Sequence, residues 1–120
     1  MRQSNIGGPN KSAEIVRQYI HRNYAKNMTL DAMASVASMN RTYLIDVFKA
    51  HAGMTPMEYV TRCRIERAKQ LLRETDDKLI WVGMDVGFGS EVSFYRSFKR
   101  FTGMTPGMYR QEWSAKSEMH

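Results

Sequence analysis

The sequence predicts an all-α fold of about seven helices, arranged as two helix-turn-helix lobes joined by a long central linker helix. One observation behind this prediction is a repeated phrase: FKAHAGMTPMEY at 48–59 and FKRFTGMTPGMY at 98–109 agree at seven of twelve positions. In each copy a glycine, which accepts the left-handed conformation that ends a helix, is followed by Thr-Pro, which favours a helix start. The other observation is that apolar residues recur at helical spacing before each copy.

The first helix-turn-helix is predicted at about 29–52. Thr29 is suited to cap a short helix, LDAMASVA, and Asn40 to cap a longer one, RTYLIDVFKAHA. The longer helix turns an apolar face to the core, formed by Leu44, Val47 and Phe48. A separate helix, from residue 10 or 12 to about 27, is expected to brace this lobe with Ile15, Val16, Tyr19, Ile20 and Tyr24.

The second helix-turn-helix is predicted at about 78–102 on the same plan. A short helix, LIWVGMDV, leads into a turn at Gly87-Phe88, and Ser90 is suited to cap EVSFYRSFKRF. The turn is one residue longer than in the first lobe. The inner side of the longer helix carries Phe94, Ser97, Phe98 and Phe101. A last helix, from Pro106 to about Trp113, is expected to brace the lobe through Met108, Tyr109 and Trp113.

Composition favours a polyanionic partner. The chain carries 18 Lys and Arg against 12 Asp and Glu, a net charge of +6 with a pI near 9.7. Such a surplus suits nucleic acid or an acidic membrane surface, although ordinary solubility charge is the simpler interpretation. The single cysteine permits no internal disulfide, and there is no apolar run long enough to span a membrane, so a cytoplasmic protein is expected.

The ends of the chain are expected to lie outside the folded domain, which is placed at 10–114. The start, MRQSNIGGP at 1–9, is polar and contains Gly-Gly-Pro, so it is interpreted as a disordered linker or a cloning remnant. If it is a linker, another domain stands before it. Residues 115–120 are expected to form a flexible tail.

The linker helix is predicted at about 56–73. It carries five basic residues against two acidic ones, a local charge of +3. Eighteen residues at the α-helical rise span roughly 27 Å. With the widths of the flanking elements added, the two longer helices are expected about 34 Å apart, which is one turn of B-DNA.

The sequence argues against an enzyme and leaves one alternative to DNA binding. The chain has no nucleophile–base set, paired carboxylates or phosphate-binding glycine loop, so neither catalysis nor a cofactor is expected. GFGS at 87–90 lies between two helices with no strand before it, and the three histidines lack metal-ligand spacing. The alternative is a helical protein-interaction module that uses the same exposed faces without reading bases.

The second half of the chain carries a specific pattern of residues: Gly87-Phe88, Phe94, Arg96, Phe98-Lys99, Gly103, Pro106 and Tyr109-Arg110. In this pattern, and over most of its length, the chain resembles the DNA-binding domain of AraC/XylS-type transcription regulators. The resemblance implies homeodomain-like three-helix units that place two recognition helices in successive major-groove segments of double-stranded DNA. It further implies a bacterial activator or repressor at the nucleoid, with RNA polymerase and a separate ligand-sensing or dimerisation domain as partners.

Three positions depart from the family pattern. Ser38 stands where glycine is common, so a left-handed backbone there would be strained. Gly83 stands where alanine is usual; it preserves close helix packing but weakens its own helix. Asp46 stands where arginine is frequent, and it either accepts a hydrogen bond from a cytosine amine or pairs with Arg41 or Lys49.

The candidate DNA contacts are the outward residues of the two longer helices. Arg41 suits guanine or phosphate, Thr42 and Ile45 suit a thymine methyl, and Lys49 suits the backbone. Arg96 is the strongest base-reading candidate in the second lobe. The full set is Arg41, Thr42, Ile45, Asp46, Lys49, Ser90, Glu91, Val92, Tyr95, Arg96 and Lys99.

The remaining prominent residues receive structural interpretations. Arg100 and Arg110 are expected to add electrostatic attraction without reading sequence. Trp81 and Trp113 are expected to anchor the core. Three methionines near turns, and the lone cysteine, are expected to fill core space: Met39, Met54, Met104 and Cys63.

Overall fold

The computed structural model describes the backbone of residues 8–118 and the side chains of residues 8–114. Every regular element within these residues is a helix, which confirms the predicted all-α fold. In the part of the chain that the structure describes, no helix has both the length and the apolar character needed to span a membrane. The elements are α1 (Gly8–Asn23), α2 (Leu30–Val36), α3 (Arg41–Ala52), α4 (Pro56–Glu74), α5 (Leu79–Asp85), α6 (Glu91–Thr102) and α7 (Pro106–Glu118).

The terminal helices differ from their predicted bounds. α1 ends at Asn23 rather than near residue 27, because the Asn23 side-chain amide donates to the Tyr19 carbonyl at 2.8 Å and ends the helical pattern locally. α7 continues to Glu118, since no glycine or proline follows Trp113 to stop it. The linker expected at 1–9 lies outside the described residues except for Gly8 and Pro9, which begin α1. Residues 119–120 of the expected tail also lie outside them.

The chain divides into two compact units, Met1–Cys63 and Arg64–His120, each with its own hydrophobic core. Helices α1, α2, α3 and residues 56–63 of α4 form the first unit. The remainder of α4 and helices α5, α6 and α7 form the second. The largest fully buried side chains of the first core are Ile20, Met33, Leu44 and Phe48; those of the second are Ile65, Leu72, Phe94 and Phe98.

Helix caps form where the sequence predicts them. The Asn40 side-chain oxygen accepts a hydrogen bond from the Tyr43 N–H at 2.8 Å, and the Ser90 hydroxyl accepts from the Ser93 N–H at 3.1 Å. Thr29 caps α2 in the same way. Each bond satisfies one backbone donor that the first turn leaves unpaired. The recognition-helix candidates α3 and α6 therefore start at fixed, equivalent residues.

The repeated phrase closes one helix and opens the next, as predicted. Gly53 and Gly103 adopt left-handed conformations with φ of 80° and 83°. In the first copy, Thr55 and Glu58 form a reciprocal capping box. The Thr55 N–H donates to the Glu58 carboxylate at 2.8 Å, and the Glu58 N–H donates to the Thr55 hydroxyl at 3.2 Å. The second copy has methionine at the matching position, so Thr105 caps α7 with a single bond of this kind.

The two helix-turn-helix turns share one hydrogen-bond pattern. The Met39 N–H donates to the Ala34 carbonyl at 2.9 Å, and the Phe88 N–H donates to the Gly83 carbonyl at 3.0 Å. These six-to-one bonds end α2 and α5 in Schellman geometry, which requires a positive φ in the preceding residue. Gly87 supplies it easily at 110°, whereas Ser38 adopts a φ of 55°. The left-handed backbone expected at Ser38 is therefore confirmed.

Gly83 permits a close approach between α5 and α6. A Cβ added at this residue would lie 2.5 Å from Cδ2 and 3.0 Å from Cβ of Phe94. Both distances are below van der Waals contact, and Phe94 is fully buried. The close packing expected at Gly83 is thus confirmed, and it leaves no room for the alanine that the resemblance implies at this position.

Four side chains predicted to anchor the core or brace a lobe are instead exposed, and one of them is Ile15 on α1, at 39%. Trp81 is 53% exposed and Met108 is 54% exposed. On α5 the inward direction is taken by Val82 and Val86, which leaves Trp81 on the opposite side of the helix. Trp113 is 40% exposed, with its ring under the Arg73 guanidinium at 5.1 Å. These expectations were wrong because the size and apolar character of a side chain do not by themselves decide whether it is buried.

We predict that Gly83→Ala lowers the free energy of unfolding by about 1 kcal/mol. Alanine gains about 1 kcal/mol of helix propensity, but overpacking a core costs about 1–3 kcal/mol. Urea unfolding measures the difference. Gly89→Ala is the matched control, because a Cβ there meets no atom within 4 Å. A Gly83→Ala protein that gained the full helix-propensity increment of about 1 kcal/mol would contradict the close packing described above.

Candidate nucleic-acid interface

Helices α3 and α6 occupy equivalent places in their units. Each has twelve residues, each starts one residue after its cap, and an offset of 50 residues relates them. Leu44 and Phe48 are fully buried in α3, as are Phe94 and Phe98 in α6. Because the buried positions match, the outward faces match as well. The sequence therefore presents two versions of one helical surface.

The outward face of α3 is polar. Arg41, Thr42, Asp46 and Lys49 are exposed, in agreement with their selection as candidate contacts. Ile45 is half-buried rather than fully exposed, so less of its side chain is available than the sequence suggested. The DNA-contacting role of these residues stays a prediction.

Arg41 pairs with a residue that the sequence did not suggest. Its Nε lies 3.4 Å from Asp31 Oδ1, and both side chains are largely exposed. Among residues 8–114, Asp46 forms no ion pair with Arg41 or Lys49. The intramolecular alternative for Asp46 is therefore not formed. Asp31 and Arg41 are ten positions apart and lie on different helices, so the i,i+3 and i,i+4 spacing of a single helix could not predict this pair.

The outward face of α6 combines basic, acidic and apolar groups. Ser90, Glu91, Arg96 and Lys99 are exposed, and Val92 is 63% exposed. Val92 and Arg96 are four residues apart and so lie along one line of the helix. An isolated exposed valine is ordinary, but beside an arginine on an outward helix face it provides an apolar contact suited to a thymine methyl.

Tyr95 lies at the edge of the α6 face and packs against the second core. Its ring centroid is 5.8 Å from that of Phe94. Burial raises the pKa of Tyr95, and the nearby Glu91 carboxylate raises this pKa further through its charge and a hydrogen bond. The phenol therefore donates its one hydrogen to the Glu91 carboxylate, which lies one turn earlier in α6.

Arg110 has a structural role that sequence reasoning missed. Its Nε donates to the Leu72 carbonyl at 3.1 Å and its Nη1 donates to the Asp77 carbonyl at 2.7 Å. These acceptors lie in the last turn of α4 and just beyond it, where helical carbonyls lack backbone partners. The guanidinium thus links the end of α4 to the segment that leads into α5, and the expected contribution of its charge to DNA attraction stays a prediction. The partners are more than thirty residues away, so no sequence spacing indicated them.

The tyrosines of the repeated phrase also have distant partners. Tyr59 OH lies 2.7 Å from His21 Nε2, and the Tyr109 hydroxyl accepts from Arg73 Nη1 at 2.7 Å. Hydrogen bonds from Arg17 to Tyr59 and Glu14 raise the pKa of Arg17. Each tyrosine therefore joins the helix that follows a recognition-helix candidate to another helix of its own unit.

We predict that Arg110→Lys lowers the free energy of unfolding by about 1–3 kcal/mol, because hydrogen bonds to charged groups contribute on this scale. Lysine keeps the charge, but its ammonium does not span the two carbonyls as a guanidinium does. Thermal or urea unfolding measures the loss, with the exposed Arg96→Lys as a control. If the two variants were equally stable, the hydrogen bonds of Arg110 would not contribute measurably to stability, and only its charge would remain as a role.

Comparison with known proteins gives a consistent family. A family model described as a helix-turn-helix domain matches residues 33–112. A protein of Streptomyces antibioticus named for its likeness to AraC transcription regulators is 42% identical over 93 residues, which are 78% of this chain and 31% of that protein. The melibiose operon regulatory protein of Escherichia coli K12 is 30% identical over 93 residues, which are 78% of this chain and 31% of that protein. The chain thus spans about a third of the length of these relatives.

Solved structures agree on the fold. The DNA-binding domain of AdpA, determined in complex with a target DNA, matches with a TM-score of 0.84 at 23% identity, covering 90% of this chain and 97% of that one. The C-terminal domain of AraT, a response regulator from Geobacillus stearothermophilus, matches with a TM-score of 0.80 at 26% identity, covering 84% of each chain. Since the family model, the curated relatives and the two-lobed helical fold agree, this chain belongs to the AraC-type family of helix-turn-helix transcription regulators.

Proposed function

We propose that this chain binds double-stranded DNA sequence-specifically, as the DNA-binding part of a bacterial transcription regulator. The observation that carries the proposal is the pair of equivalent helices, α3 and α6, whose outward faces carry charged and polar side chains and whose inward faces each bury a phenylalanine. An α-helix fits the major groove, and side chains on its outer face reach base edges. The AdpA domain, which resembles this chain in fold, was solved with its target DNA and supports the assignment.

The proposed contacts divide by chemistry. Arg96, Val92 and Thr42 are suited to base edges, because a guanidinium matches guanine and small apolar groups match the thymine methyl. Lys49 and Lys99 occupy the last turns of their helices and are suited to phosphates. The Tyr95 hydroxyl is a further candidate for a phosphate, and donating there would require it to leave its hydrogen bond to Glu91. These assignments use the outward positions of the side chains and the net charge of +6.

Further partners are proposed for the whole regulator. A ligand-sensing or dimerisation domain is supported by the fact that the chain spans about a third of its relatives' length. RNA polymerase is proposed as a protein partner. The exposed apolar side chains of Ile80, Trp81 and Met84 on α5 support a protein contact in addition to DNA. A DNA partner would place the protein at the bacterial nucleoid, and the relatives are named as regulators rather than enzymes.

Selection from a random duplex pool, followed by footprinting, tests the proposal directly. Two enriched blocks are expected, one for each recognition helix. Their separation also tests the sequence-based expectation of about one helical turn. A single block would mean that one lobe reads bases and the other only holds the backbone. No enrichment would contradict the proposal and favour the protein-interaction module.

Salt dependence separates DNA binding from a protein-interaction module. We predict that affinity for the selected duplex falls by about a thousandfold or more between roughly 50 and 200 mM salt, because phosphate contacts release counterions. A mainly apolar helical contact would change far less. Fluorescence anisotropy at several salt concentrations measures the slope. A slope near zero would contradict the phosphate contacts assigned to Lys49 and Lys99.

We predict that Arg96→Ala weakens binding to the selected duplex by about 1–3 kcal/mol and removes preference at one base pair of one block. Lys99→Ala, three residues further along the same exposed face, is the matched control. It is expected to weaken binding to all sequences alike and to reduce the salt slope. Competition binding with single-base variants of the duplex measures both effects. Uniform loss for Arg96→Ala would reassign Arg96 to phosphate.

A further inference from the structure

The two recognition helices allow a position-by-position comparison, because their frames match. Both begin directly after a side-chain cap, at Asn40 and Ser90, and both end at a left-handed glycine, at Gly53 and Gly103. The buried residues also coincide under the 50-residue offset. Position 46 of α3 is therefore the structural counterpart of position 96 of α6, each within its own unit.

At this shared position the two helices carry opposite charges. Asp46 and Arg96 are both exposed, and each lies opposite the buried phenylalanine face of its helix. Among residues 8–114, neither side chain makes an ion pair. The neighbouring basic position is unchanged, because Lys49 and Lys99 also correspond. The inversion thus changes one reading position and leaves the adjacent basic position in place.

The two cations of α3 that could approach Asp46 do not pair with it. Arg41 is the nearest arginine along α3, but its guanidinium is engaged by a carboxylate of α2 at 3.4 Å. Lys49, three residues after Asp46, forms no ion pair with it either. The second unit has isoleucine, Ile80, at the place that corresponds to Asp31, so the α2 ion pair has no counterpart there.

A carboxylate is restricted in what it binds in the major groove. When ionised it only accepts hydrogen bonds, so phosphates and the acceptors N7, O6 and O4 of the bases repel it. The available donors are the N4 amine of cytosine and the N6 amine of adenine. The adenine amine lies beside N7, an acceptor on the same base, which makes cytosine the better partner. Arginine has the opposite requirement and matches the two acceptors of guanine.

We propose that Asp46 is a specificity-determining residue, and that α3 selects cytosine at the position where α6 selects guanine through Arg96. This inference rests on the proposed function, since it names the bases that the proposed reading helices prefer. The two blocks of the operator then differ at one corresponding position, although the two lobes share one fold. The difference arises from a single side-chain inversion on equivalent frames.

Duplex selection with Asp46 variants tests the inference. The wild-type protein is expected to prefer cytosine at one position of the α3 block by roughly tenfold, the lower part of the range for a specific base contact. Asp46→Asn is expected to move this preference to adenine, because an amide pairs with N6 and N7 together. Asp46→Arg is expected to move it to guanine. Lys49→Ala, on the same face, is the control and should weaken binding without changing any base.

The outcomes separate this inference from the proposed function. If both Asp46 variants bind all sequences more tightly and keep the wild-type base preferences, Asp46 only repels phosphate and the inference is overturned while DNA binding stands. If the wild-type protein enriches no sequence, the proposed function fails and the inference fails with it. Since Asp46 is exposed, variants with unchanged melting temperatures exclude misfolding as the cause of either result. The reciprocal variant Arg96→Asp is expected to replace guanine by cytosine in the other block.

Discussion

One aromatic contact orients each recognition helix, and it is made by the first and last residues of the repeated phrase. Phe48 meets the ring of Tyr59 edge-on at 5.4 Å, and Phe98 meets Tyr109 edge-on at 5.5 Å. Each pair bridges the glycine and Thr-Pro turn between two helices. Such pairs contribute about 0.5–1.5 kcal/mol beyond the burial of the rings. Because the phenylalanine faces inward, the opposite side of its helix faces outward. This outward side is the candidate DNA-reading face.

The two lobes support this shared contact in different ways. In the first unit, the Tyr59 hydroxyl is bonded to His21 of α1. The second unit instead bonds Tyr109 to Arg73 near the end of α4, and Arg110 fastens the connection that follows. The same aromatic pair is thus stabilised by whichever polar groups its own unit provides. This arrangement accounts for a Tyr-Arg dipeptide in the second copy where the first has Tyr-Val.

A fixed frame leaves the outward side chains free to differ. Asp46 and Arg96 carry opposite charges, and Thr42 and Val92 differ in polarity, yet the helices that hold them share caps, length and buried residues. An exposed side chain contributes little to stability, so substitution there changes what is bound rather than what folds. The turn before each helix shows the same tolerance: one lobe uses Ser38 with Ala34, the other Gly87 with Gly83.

The sequence by itself determined the helices, their caps, the left-handed turns and the buried phenylalanines. These features depend on groups a few residues apart, where helical periodicity and capping chemistry act directly. The sequence also predicted the candidate reading faces, because the outward side of a helix is the side opposite its buried apolar residues. Only the tertiary structure decided that Trp81 lies outside, that Arg41 pairs with Asp31 and that Arg110 binds the carbonyls after α4. Each of these depends on groups from separate elements, and the distance between such groups is set by packing rather than by spacing along the chain.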